Sequence, residues 1–358
     1  MTHTFRAWVS ERAGDRPRLA DVSADGPGPG EVAIEVRAVG ICHTDVSLMD
    51  GLLRDEFPLI AGHELSGIVV AVGPDVSRLQ TGQRVVVGLS RHCGSCRHCE
   101  SGHPMLCARR LHQFGRLRLA NGTLVAQGFG IGGFAELIVV GERGVVPVPD
   151  GVDAATAAVI GCSVATGAGA VLRQGRLRPG EELAVIGFGG VGAGALLAGR
   201  VSGAGRIVVI EPDPARRALA KELGADLVLT PTDGHQDLPR DFDLVIECTG
   251  NLKAMNNAIN MVGPGRRLVY TGLPPAGARL SLDAHALVRG QLTIHGSLTG
   301  DLHPLQDLGH YLELQRQGRL GADRLISTIA AFEELDSALA AGTAGIRTVV
   351  TTQKGGDW

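Results

Sequence analysis

The sequence lacks any apolar run of membrane-spanning length that is free of glycine and charge. Its first residues, MTHTFRAWVSERAGDRPR, carry charge but not the apolar segment that a secretory signal requires. The formal net charge is only −3, which gives no electrostatic basis for binding nucleic acid or an anionic membrane. Tandem repeats and low-complexity segments are also missing. We therefore expect a cytoplasmic protein that binds neither nucleic acid nor membrane.

The chain has 358 residues, which is too long for one hydrophobic core, so two domains are expected. Up to about residue 150, short apolar runs such as EVAIEVRAVG and QRVVVGL are separated by Gly, Pro and Asp, a pattern typical of a β-rich domain. From about residue 160, strands and helices alternate, which predicts a parallel sheet of the α/β class. The last sixty residues predict a helix followed by a short strand, IRTVVT.

Four of the seven cysteines lie close together in the stretch RHCGSCRHCESGHPMLC, namely Cys93, Cys96, Cys99 and Cys107. In a reducing compartment, clustered thiols favour metal binding over disulfides. Four sulfur ligands form a closed tetrahedral site for a structural zinc ion and leave no position for a substrate. An iron–sulfur cluster fits less well, because the ferredoxin run has three residues before its last cysteine and a proline after it. Unligated surface thiols are the remaining alternative.

A glycine-rich motif follows the predicted strand ELAVI and consists of Gly187, Gly189, Gly190, Val191 and Gly192 in the stretch GFGGVG. An Ala-rich helix follows it, and the next strand, RIVVI, leads into Glu211. Such glycines permit a tight turn and close approach of a pyrophosphate to a helix N-terminus. The Glu211 carboxylate would accept from ribose hydroxyls and repel a 2′-phosphate, so NAD is favoured over NADP. Arg216, a further cofactor-binding candidate, and Arg217 lie nearby and weaken this preference. The alternative is a tight turn that binds nothing.

Three further segments each carry a soft metal ligand, namely Cys42 in CHTD, His63 in GHE and Cys162 in GC. Two thiolates and one imidazole leave a fourth zinc position open for water or substrate, as catalytic zinc requires. Isolated Cys and His residues are more often packed or incidental than ligands, so the residues alone leave both alternatives open.

These segments together resemble the zinc-dependent alcohol dehydrogenases of the medium-chain dehydrogenase/reductase superfamily. The resemblance runs nearly end to end through ICHTD, AGHELSGIVVAVG, the four-cysteine segment, GCSVATGAGAV, GFGGVG and IRTVVT. It implies a GroES-like, β-rich catalytic domain made of residues 1–160 and 299–358, and a doubly wound Rossmann domain over residues 161–298. It also implies an active site in the cleft between these domains.

By position, the resemblance assigns Cys42, His63 and Cys162 to a catalytic zinc ion. It places Glu64 near the metal, as a transient ligand, and Asp45 behind the ligand imidazole, where it would orient the ring. A solvated turn residue at position 45 and a structural ion pair at position 64 are the alternatives for these two carboxylates.

The resemblance also assigns roles around the substrate and the coenzyme. Thr44 would contact the substrate oxygen and begin a proton relay, although it also suits a helix cap. His43 and Arg347 would lie near the coenzyme pyrophosphate, Thr166 near the nicotinamide, and a plain surface charge is the alternative for Arg347. Ser47 replaces a histidine that many members use at the relay exit, so the proton leaves through water, through Ser47 or by another path.

Two features of the sequence bear on the substrate. Leu89 replaces a large aromatic residue of some members and favours a roomier, apolar pocket. Gly51, Leu53 and Leu111 are uncharged where a glutathione adduct would need charged partners, which disfavours the formaldehyde-oxidising class.

The resemblance therefore predicts an enzyme with two zinc ions per chain and NAD, acting between a primary or secondary, apolar or aromatic alcohol and its aldehyde or ketone. One alternative is an NAD(P)H-dependent reductase of C=C or C=N bonds that bypasses the catalytic zinc. Another is a dinucleotide-binding homologue without enzymatic activity. By family analogy we expect a homodimer or homotetramer, with the stretch TIHGSL at 293–298 as the pairing edge.

Overall fold

The computed structural model describes residues 2–53, 56–89, 92–109, 116–231, 239–342, 345–352 and 358. The chain divides into two compact units. Unit 1 comprises Met1–Cys162, His303–Gly318 and Ala322–Trp358, and unit 2 comprises Ser163–Leu302 and Arg319–Gly321. The sequence placed the corresponding limits after residues 160 and 298, whereas the structure places them after Cys162 and Leu302.

The strands and helices of the described residues are numbered in chain order. The strands are β1 (Thr2–Val9), β2 (Arg18–Asp25), β3 (Glu31–Gly40), β4 (Leu59–Ile60), β5 (Glu64–Val72), β6 (Arg84–Val87), β7 (Leu117–Leu119), β8 (Leu124–Gln127), β9 (Leu137–Gly141), β10 (Val145–Pro147), β11 (Glu182–Ile186), β12 (Arg206–Ile210), β13 (Leu227–Leu229), β14 (Phe242–Glu247), β15 (Val262–Tyr270), β16 (Thr293–Gly296), β17 (Ile326–Ala331) and β18 (Arg347–Thr351). The helices are α1 (His43–Met49), α2 (Arg97–Glu100), α3 (Ala154–Val159), α4 (Ala165–Gly169), α5 (Gly190–Val201), α6 (Pro214–Glu222), α7 (Leu252–Ala258), α8 (Ala284–Arg289), α9 (Pro304–Arg316) and α10 (Leu335–Ala340).

Unit 1 is built on two β-sheets. One has the strand order β1-β2-β7-β8-β4, and the other has the order β10-β6-β5-β3-β18-β17, with β9 also paired to β3. The β-branched side chains of β3, such as Val32, Ile34 and Val36, are fully buried and join a core that extends to Phe134 and Leu335. Residues of this shape pack well on a pleated surface, which explains why these runs form strands.

The register of the second sheet determines where the chemically interesting residues of unit 1 meet. Gly40, the last residue of β3, lies opposite Glu64 at the start of β5 and opposite Val349 of β18. Cys42 follows Gly40 after one residue, His63 directly precedes β5, and Arg347 opens β18. Segments that are far apart in the sequence are therefore neighbours where the adjacent strands β5, β3 and β18 begin or end.

Unit 2 contains a six-stranded parallel sheet in the order β13-β12-β11-β14-β15-β16. When the six strands are renumbered from 1 to 6 in chain order, this is the order 3-2-1-4-5-6 of a doubly wound Rossmann fold. The order reverses between β11 and β14, so ligands are expected at the carboxyl ends of those two strands. The predicted α/β fold, with a β-rich unit and a Rossmann unit, is confirmed.

One continuous helical segment, Ala154–Gln174, is long and apolar enough to cross a membrane when judged by length and composition. Most of its most apolar window, 83%, is buried inside the protein. The core helix of a globular protein passes the same test, and this one contains Gly161, Gly167 and Gly169 within its length. The segment is accordingly assigned to the core.

Candidate functional site

The four clustered cysteines converge in unit 1 around the short helix α2. Their Sγ atoms all lie within 4.8 Å of one another. The Cys96–Cys99, Cys96–Cys107 and Cys93–Cys99 sulfur pairs are 3.5, 3.8 and 4.0 Å apart. Sulfurs arranged tetrahedrally at the usual Zn–S bond length of about 2.3 Å are roughly 3.8 Å apart. The spacing therefore fits a zinc ion and is much too long for a disulfide.

Backbone N–H groups prepare this cluster for a cation. Hydrogen bonds from the backbone of Cys99 and Ala108 lower the pKa of the Cys96 thiol to about 6. The backbone N–H of Cys93 also donates to Cys107 Sγ at 3.3 Å. Because thiolates rather than thiols bind zinc, these donors favour the metal-bound form. All four sulfurs belong to the cluster, so a zinc ion held here would have no open position, which is the closed type of site that the sequence predicts.

Asp45 is the centre of the second candidate site. Its side chain is fully buried on α1 and accepts three hydrogen bonds. Oδ1 accepts from the backbone of Gly62 at 2.9 Å and from Nδ1 of His63 at 2.7 Å, and Oδ2 accepts from the backbone of Cys42 at 3.1 Å. Asp45 is therefore not a solvated turn residue. It fixes the tautomer and orientation of the imidazole and directs Nε2 away from itself.

Cys42 links the three metal-ligand candidates. A hydrogen bond with Cys162 is the largest influence on the pKa of Cys42, which lies well below its usual range, and Arg347 also lowers it while burial opposes the shift. Burial also opposes charging of His63, but Asp45 and the hydrogen bond to Cys42 raise the pKa of the imidazole. The protons shared among these groups are those that a metal ion would replace. Two thiols and one braced imidazole fit a zinc site with an open position.

Cys162 reaches this place on a helical segment that packs tightly on the sheet. It lies in a π-helical turn, Ile160–Val164, that continues α3. A Cβ added at the preceding Gly161 would lie 2.8 Å from Cγ2 of Val86 on β6. Glycine at position 161 therefore lets this segment lie close against β6, and the next residue, Cys162, is within hydrogen-bond reach of Cys42.

The other residues assigned to α1 have different surroundings. The Thr44 hydroxyl lies 3.6 Å from Cys42 Sγ, which places it beside the ligand set. The Ser47 hydroxyl donates to the backbone carbonyl of His43 at 3.3 Å, so its hydrogen-bond partner lies within its own helix. The His43 side chain is exposed. The roles of Ser47 in proton release and of His43 at the pyrophosphate stay predictions.

The structural ion pair that the sequence left open for Glu64 is present, and its partner is Arg347, which the sequence did not indicate. Nε of Arg347 lies 3.2 Å from Oε1 of Glu64, and both side chains are almost inaccessible to solvent. The guanidinium also donates to the carbonyl of Ile41 and approaches Cys42 Sγ at 4.0 Å. Burial raises the pKa of Glu64 to about 7, against the influence of Arg347. Arg347 is therefore not a surface charge, and its assignment to the pyrophosphate stays a prediction.

A glycine makes room for this pair. A Cβ added at Gly40 would lie 2.5 Å from Oε1 of Glu64. The sequence signal for this requirement was the Gly at the end of the strand EVAIEVRAVG, which the sequence analysis did not interpret.

Replacing Asp45 with asparagine is expected to lower the zinc affinity of the second site by about 10- to 100-fold. An amide offers one acceptor oxygen, so it cannot satisfy all three donors that converge on the carboxylate. Competition with a chromophoric chelator measures this affinity. Asp153→Asn is the matched control, because Asp153 caps α3 by accepting from Thr156 and asparagine caps helices equally well. Equal affinities in wild type and Asp45→Asn would contradict the assignment.

In unit 2, the glycine motif forms the turn between β11 and α5. Gly187 has a φ of +87°, which favours glycine, and a Cβ there would lie 2.5 Å from Cγ2 of Thr249 beyond β14. A Cβ on Gly192 would overlap the carbonyl oxygen of Gly187. By contrast, a Cβ on Gly189, the N-cap of α5, would meet nothing within 4 Å. The turn is packed from within and open at Gly189, which fits the approach of a pyrophosphate.

Glu211 lies at the end of β12, next to this turn, and is buried. Its carboxylate accepts from the backbone of Phe188 at 2.6 Å and from the backbone of Asp213 at 2.9 Å. A carboxylate has about four acceptor positions, so two bonds leave capacity for ribose hydroxyls. Arg217 donates to the carbonyl oxygens of Glu211 and Pro212, which holds that guanidinium on the backbone.

The remaining cofactor candidates also lie in unit 2. Gly190 and Val191 begin α5, and Thr166 is buried on the adjacent α4. A Cβ added at Gly167 would overlap the carbonyl oxygen of Val191, so these two helices touch. The backbone N–H of Arg216 donates to the capping Asp213, and the residue is half-buried on α6. Contact of Thr166 and Arg216 with a dinucleotide stays a prediction.

Two family models match this chain. The model described as "Alcohol dehydrogenase GroES-like domain" matches residues 28–150, and the model described as "Zinc-binding dehydrogenase" matches residues 190–315. The geraniol dehydrogenase of Castellaniella defragrans is 35% identical over 358 residues, which cover 95% of each protein.

Solved structures agree with this relationship. The benzyl alcohol dehydrogenase of Acinetobacter calcoaceticus is similar with a TM-score of 0.90 and 28% identity, covering 98% of this chain and all of that one. A zinc-binding dehydrogenase structure from Sinorhizobium meliloti 1021, bound to NADP, has a TM-score of 0.84 and 25% identity, with 98% and 99% coverage.

Proposed function

The chain belongs to the zinc-dependent alcohol dehydrogenases of the medium-chain dehydrogenase/reductase superfamily, and we propose that it transfers a hydride between a primary or secondary alcohol and NAD+. The favoured alcohols are apolar or aromatic, and the reverse reaction reduces the matching aldehyde or ketone. The observation that carries the proposal is the set of Cys42, Cys162 and the Asp45-braced imidazole of His63, in a chain that also holds a complete dinucleotide turn.

In this reaction, Cys42, His63 and Cys162 would hold a catalytic zinc ion, which supplies Lewis acidity toward the alcohol oxygen. The hydride chemistry belongs to the nicotinamide. Thr44, whose hydroxyl adjoins Cys42, takes up the proton that leaves the substrate hydroxyl. Since the Ser47 hydroxyl is bonded to the His43 carbonyl, water is the favoured carrier beyond Thr44. Asp45 keeps the imidazole in the tautomer that leaves Nε2 available.

The preference for NAD over NADP rests on Glu211, and a single substitution tests it. Glu211→Gln removes the negative charge at the ribose and keeps one acceptor for the turn. We expect kcat/KM with NAD+ to fall and the ratio of kcat/KM for NAD+ over NADP+ to drop at least about tenfold, since a hydrogen bond to a charged group contributes about 1.5–3 kcal/mol.

Steady-state kinetics with both coenzymes measures this ratio. The matched control is Glu182→Gln, because Glu182 lies at the opposite end of β11. An unchanged ratio in Glu211→Gln would mean that another residue discriminates between the coenzymes.

The apolar substrate class is supported from two sides. The two named relatives act on geraniol and on benzyl alcohol by their names. In this chain, the Phe129 ring makes an edge-to-face contact with the imidazole of His63 at a centroid distance of 5.3 Å, and Leu89 packs against the core of unit 1. Gly51 and Leu53 bring no charge for a glutathione adduct, and Leu111 lies outside the described residues.

A panel of alcohols with NAD+ tests the proposed function. The panel contains benzyl alcohol, geraniol, ethanol and S-(hydroxymethyl)glutathione, and NADH absorbance reports turnover. We expect kcat/KM for the two large apolar alcohols to exceed that for ethanol at least about tenfold, because each buried methylene contributes about 0.8 kcal/mol. Failure of the zinc-loaded protein to oxidise any alcohol would favour the reductase alternative, which NAD(P)H oxidation with an enone or an imine would reveal.

We further propose a homodimer or homotetramer in which β16 pairs with its counterpart in a second copy. This strand is the last in the sheet of unit 2, and Leu298 directly beyond it and Val288 on α8 are exposed. An unpaired edge beside exposed apolar residues favours association. Light scattering is expected to give at least twice the chain mass, and a proline at Ile294 is expected to reduce it. A monomeric wild type would contradict this proposal.

Location of the protein in the cytoplasm stays a prediction.

A further inference from the structure

A second glycine-rich segment, GFGIGG at residues 128–133, lies in unit 1 and was not interpreted in the sequence analysis. It resembles the dinucleotide turn in composition, but it leads toward strand β9 rather than a helix. Its end is bonded to the residues directly before the ligand candidate His63. The backbone N–H of Gly133 donates to the carbonyl oxygen of Gly62 at 2.7 Å, and that of Phe134 donates to the carbonyl oxygen of Ala61 at 2.9 Å.

These two segments are in direct backbone contact. Gly62 has a φ of +92°, and a Cβ there would lie 2.5 Å from the backbone nitrogen of Phe134. A Cβ on Gly133 would overlap the side chain of Leu65, two residues beyond His63. Both glycines are therefore needed where the segment lies against the chain around His63.

Phe129 carries this contact to the imidazole itself. Its backbone is left-handed, with a φ of 50° and a ψ of 17°, which is uncommon for a residue with a side chain. Its ring meets the His63 ring at a centroid distance of 5.3 Å and an interplanar angle of 70°. Such edge-to-face contacts have a preferred geometry. The imidazole is thus fixed by the Asp45 hydrogen bond at Nδ1 and, independently, by an aromatic ring.

Gln127 closes the turn that holds Phe129 in place. Its side chain is only 3% exposed, and Nε2 donates to the carbonyl oxygen of Ile131 at 3.0 Å. The backbone N–H groups of Ile131 and Gly132 both donate back to Gly128. A left-handed residue persists only where its surroundings hold it, and the buried amide spans the residues on either side of Phe129.

We propose that residues 127–134 form a second brace for the metal ligand His63, in addition to Asp45, and that Gln127 is the positioning residue of this brace. The amide acts through the 128–131 turn and Phe129 on the orientation of the imidazole. The inference rests on the proposed function, because it takes His63 as a ligand of the catalytic metal ion.

Cobalt substitution at the catalytic site tests the brace without relying on turnover. Gln127→Met keeps the side-chain length but removes the hydrogen bond, and Phe129→Leu is a conservative second variant that removes the ring contact. In both we expect shifted cobalt absorption bands and about tenfold faster release of the catalytic ion to a chelator, in line with the usual effect of removing a residue behind a metal ligand. Release from the four-cysteine cluster is expected to stay at the wild-type rate.

Ser66→Ala is the matched control, because Ser66 is fully buried on β5, the strand that follows His63, and donates to the carbonyl of Ala154 at 2.6 Å. It should lower stability and leave the cobalt spectrum unchanged. The inference is overturned if Gln127→Met and Phe129→Leu both keep the wild-type spectrum and release rate, or if Ser66→Ala shifts the spectrum equally. A wild-type protein that binds metal only in the four-cysteine cluster would overturn the proposed function, and the brace with it.

Discussion

Replacing Cys42 with serine is expected to lower alcohol-dependent NADH formation by at least about 10³-fold, since metal polarisation of the substrate oxygen contributes several kcal/mol. Cys42 is the shared member of its cluster, with Cys162, His63, Thr44 and Arg347 all around its sulfur. A serine hydroxyl stays protonated at neutral pH and is a poor zinc ligand, so the open metal site is lost. The dinucleotide turn lies in unit 2 and contains none of these residues.

Steady-state kinetics and NADH fluorescence separate these two effects. In Cys42→Ser we expect the dissociation constant for NADH to stay within about threefold of wild type, below the tenfold that 1.4 kcal/mol would produce. Ser66→Ala is the matched control, because Ser66 is fully buried on β5 of the same unit and is in neither metal-ligand set. Turnover above a tenth of wild type in Cys42→Ser would mean that hydride transfer does not need this cluster.

Replacing Cys107 with serine is expected to remove the structural zinc ion and lower the melting temperature of unit 1 by about 10 °C or more. Structural zinc sites contribute folding free energy directly, with apparent binding free energies of about 10–16 kcal/mol in small domains. Losing even about 3–5 kcal/mol of this would give the expected shift for a unit of this size. Cys107 is buried, and its sulfur contacts both Cys96 and the backbone of Cys93.

Thermal unfolding followed by circular dichroism, with added zinc and with a chelator, measures this effect. The chelator should lower the melting temperature of the wild type more than that of Cys107→Ser, because the variant has no structural zinc ion left to lose. Cys248→Ser is the control here, because it is the same cysteine-to-serine change outside the cluster. A variant that loses one zinc ion and melts at the wild-type temperature would show that this cluster does not stabilise the fold.

The sequence was most informative where the chemistry is local. The four cysteines are close in the chain, so their spacing alone predicted a closed cluster, and the structure brings their sulfurs together. The glycine turn was equally accessible, because strand, turn, helix and acid follow one another within a single βαβ unit. In both cases the residues that must meet are already neighbours in the chain.

Contacts between distant segments were beyond the sequence. Glu64 and Arg347 meet only because β3 pairs with β5 on one side and with β18 on the other, and strand register cannot be inferred from composition. The sequence suggested separate roles for these two residues, whereas in the structure they form one buried ion pair. The segment after Gln127 was missed for the same reason, since its partners precede His63.

The alternatives for single residues were decided by burial. A carboxylate at position 45 suits a solvated turn equally well until its three buried donors are seen. The Ser47 hydroxyl likewise has a partner that the sequence did not reveal, because it donates to the backbone carbonyl of His43 within its own helix. Side-chain partners of this kind depend on helix geometry and packing, which the sequence pattern does not specify.

Zinc content per chain, measured by elemental analysis on protein purified without chelator, is the decisive measurement for the two proposed metal sites. We expect two zinc ions in the wild type, one in Cys42→Ser and one in Cys107→Ser, because each substitution removes a ligand from a different cluster. One zinc ion in the wild type and in Cys42→Ser would mean that Cys42, His63 and Cys162 hold no metal. That result would contradict a zinc-dependent alcohol dehydrogenase and favour a reductase or a dinucleotide-binding protein of the same fold.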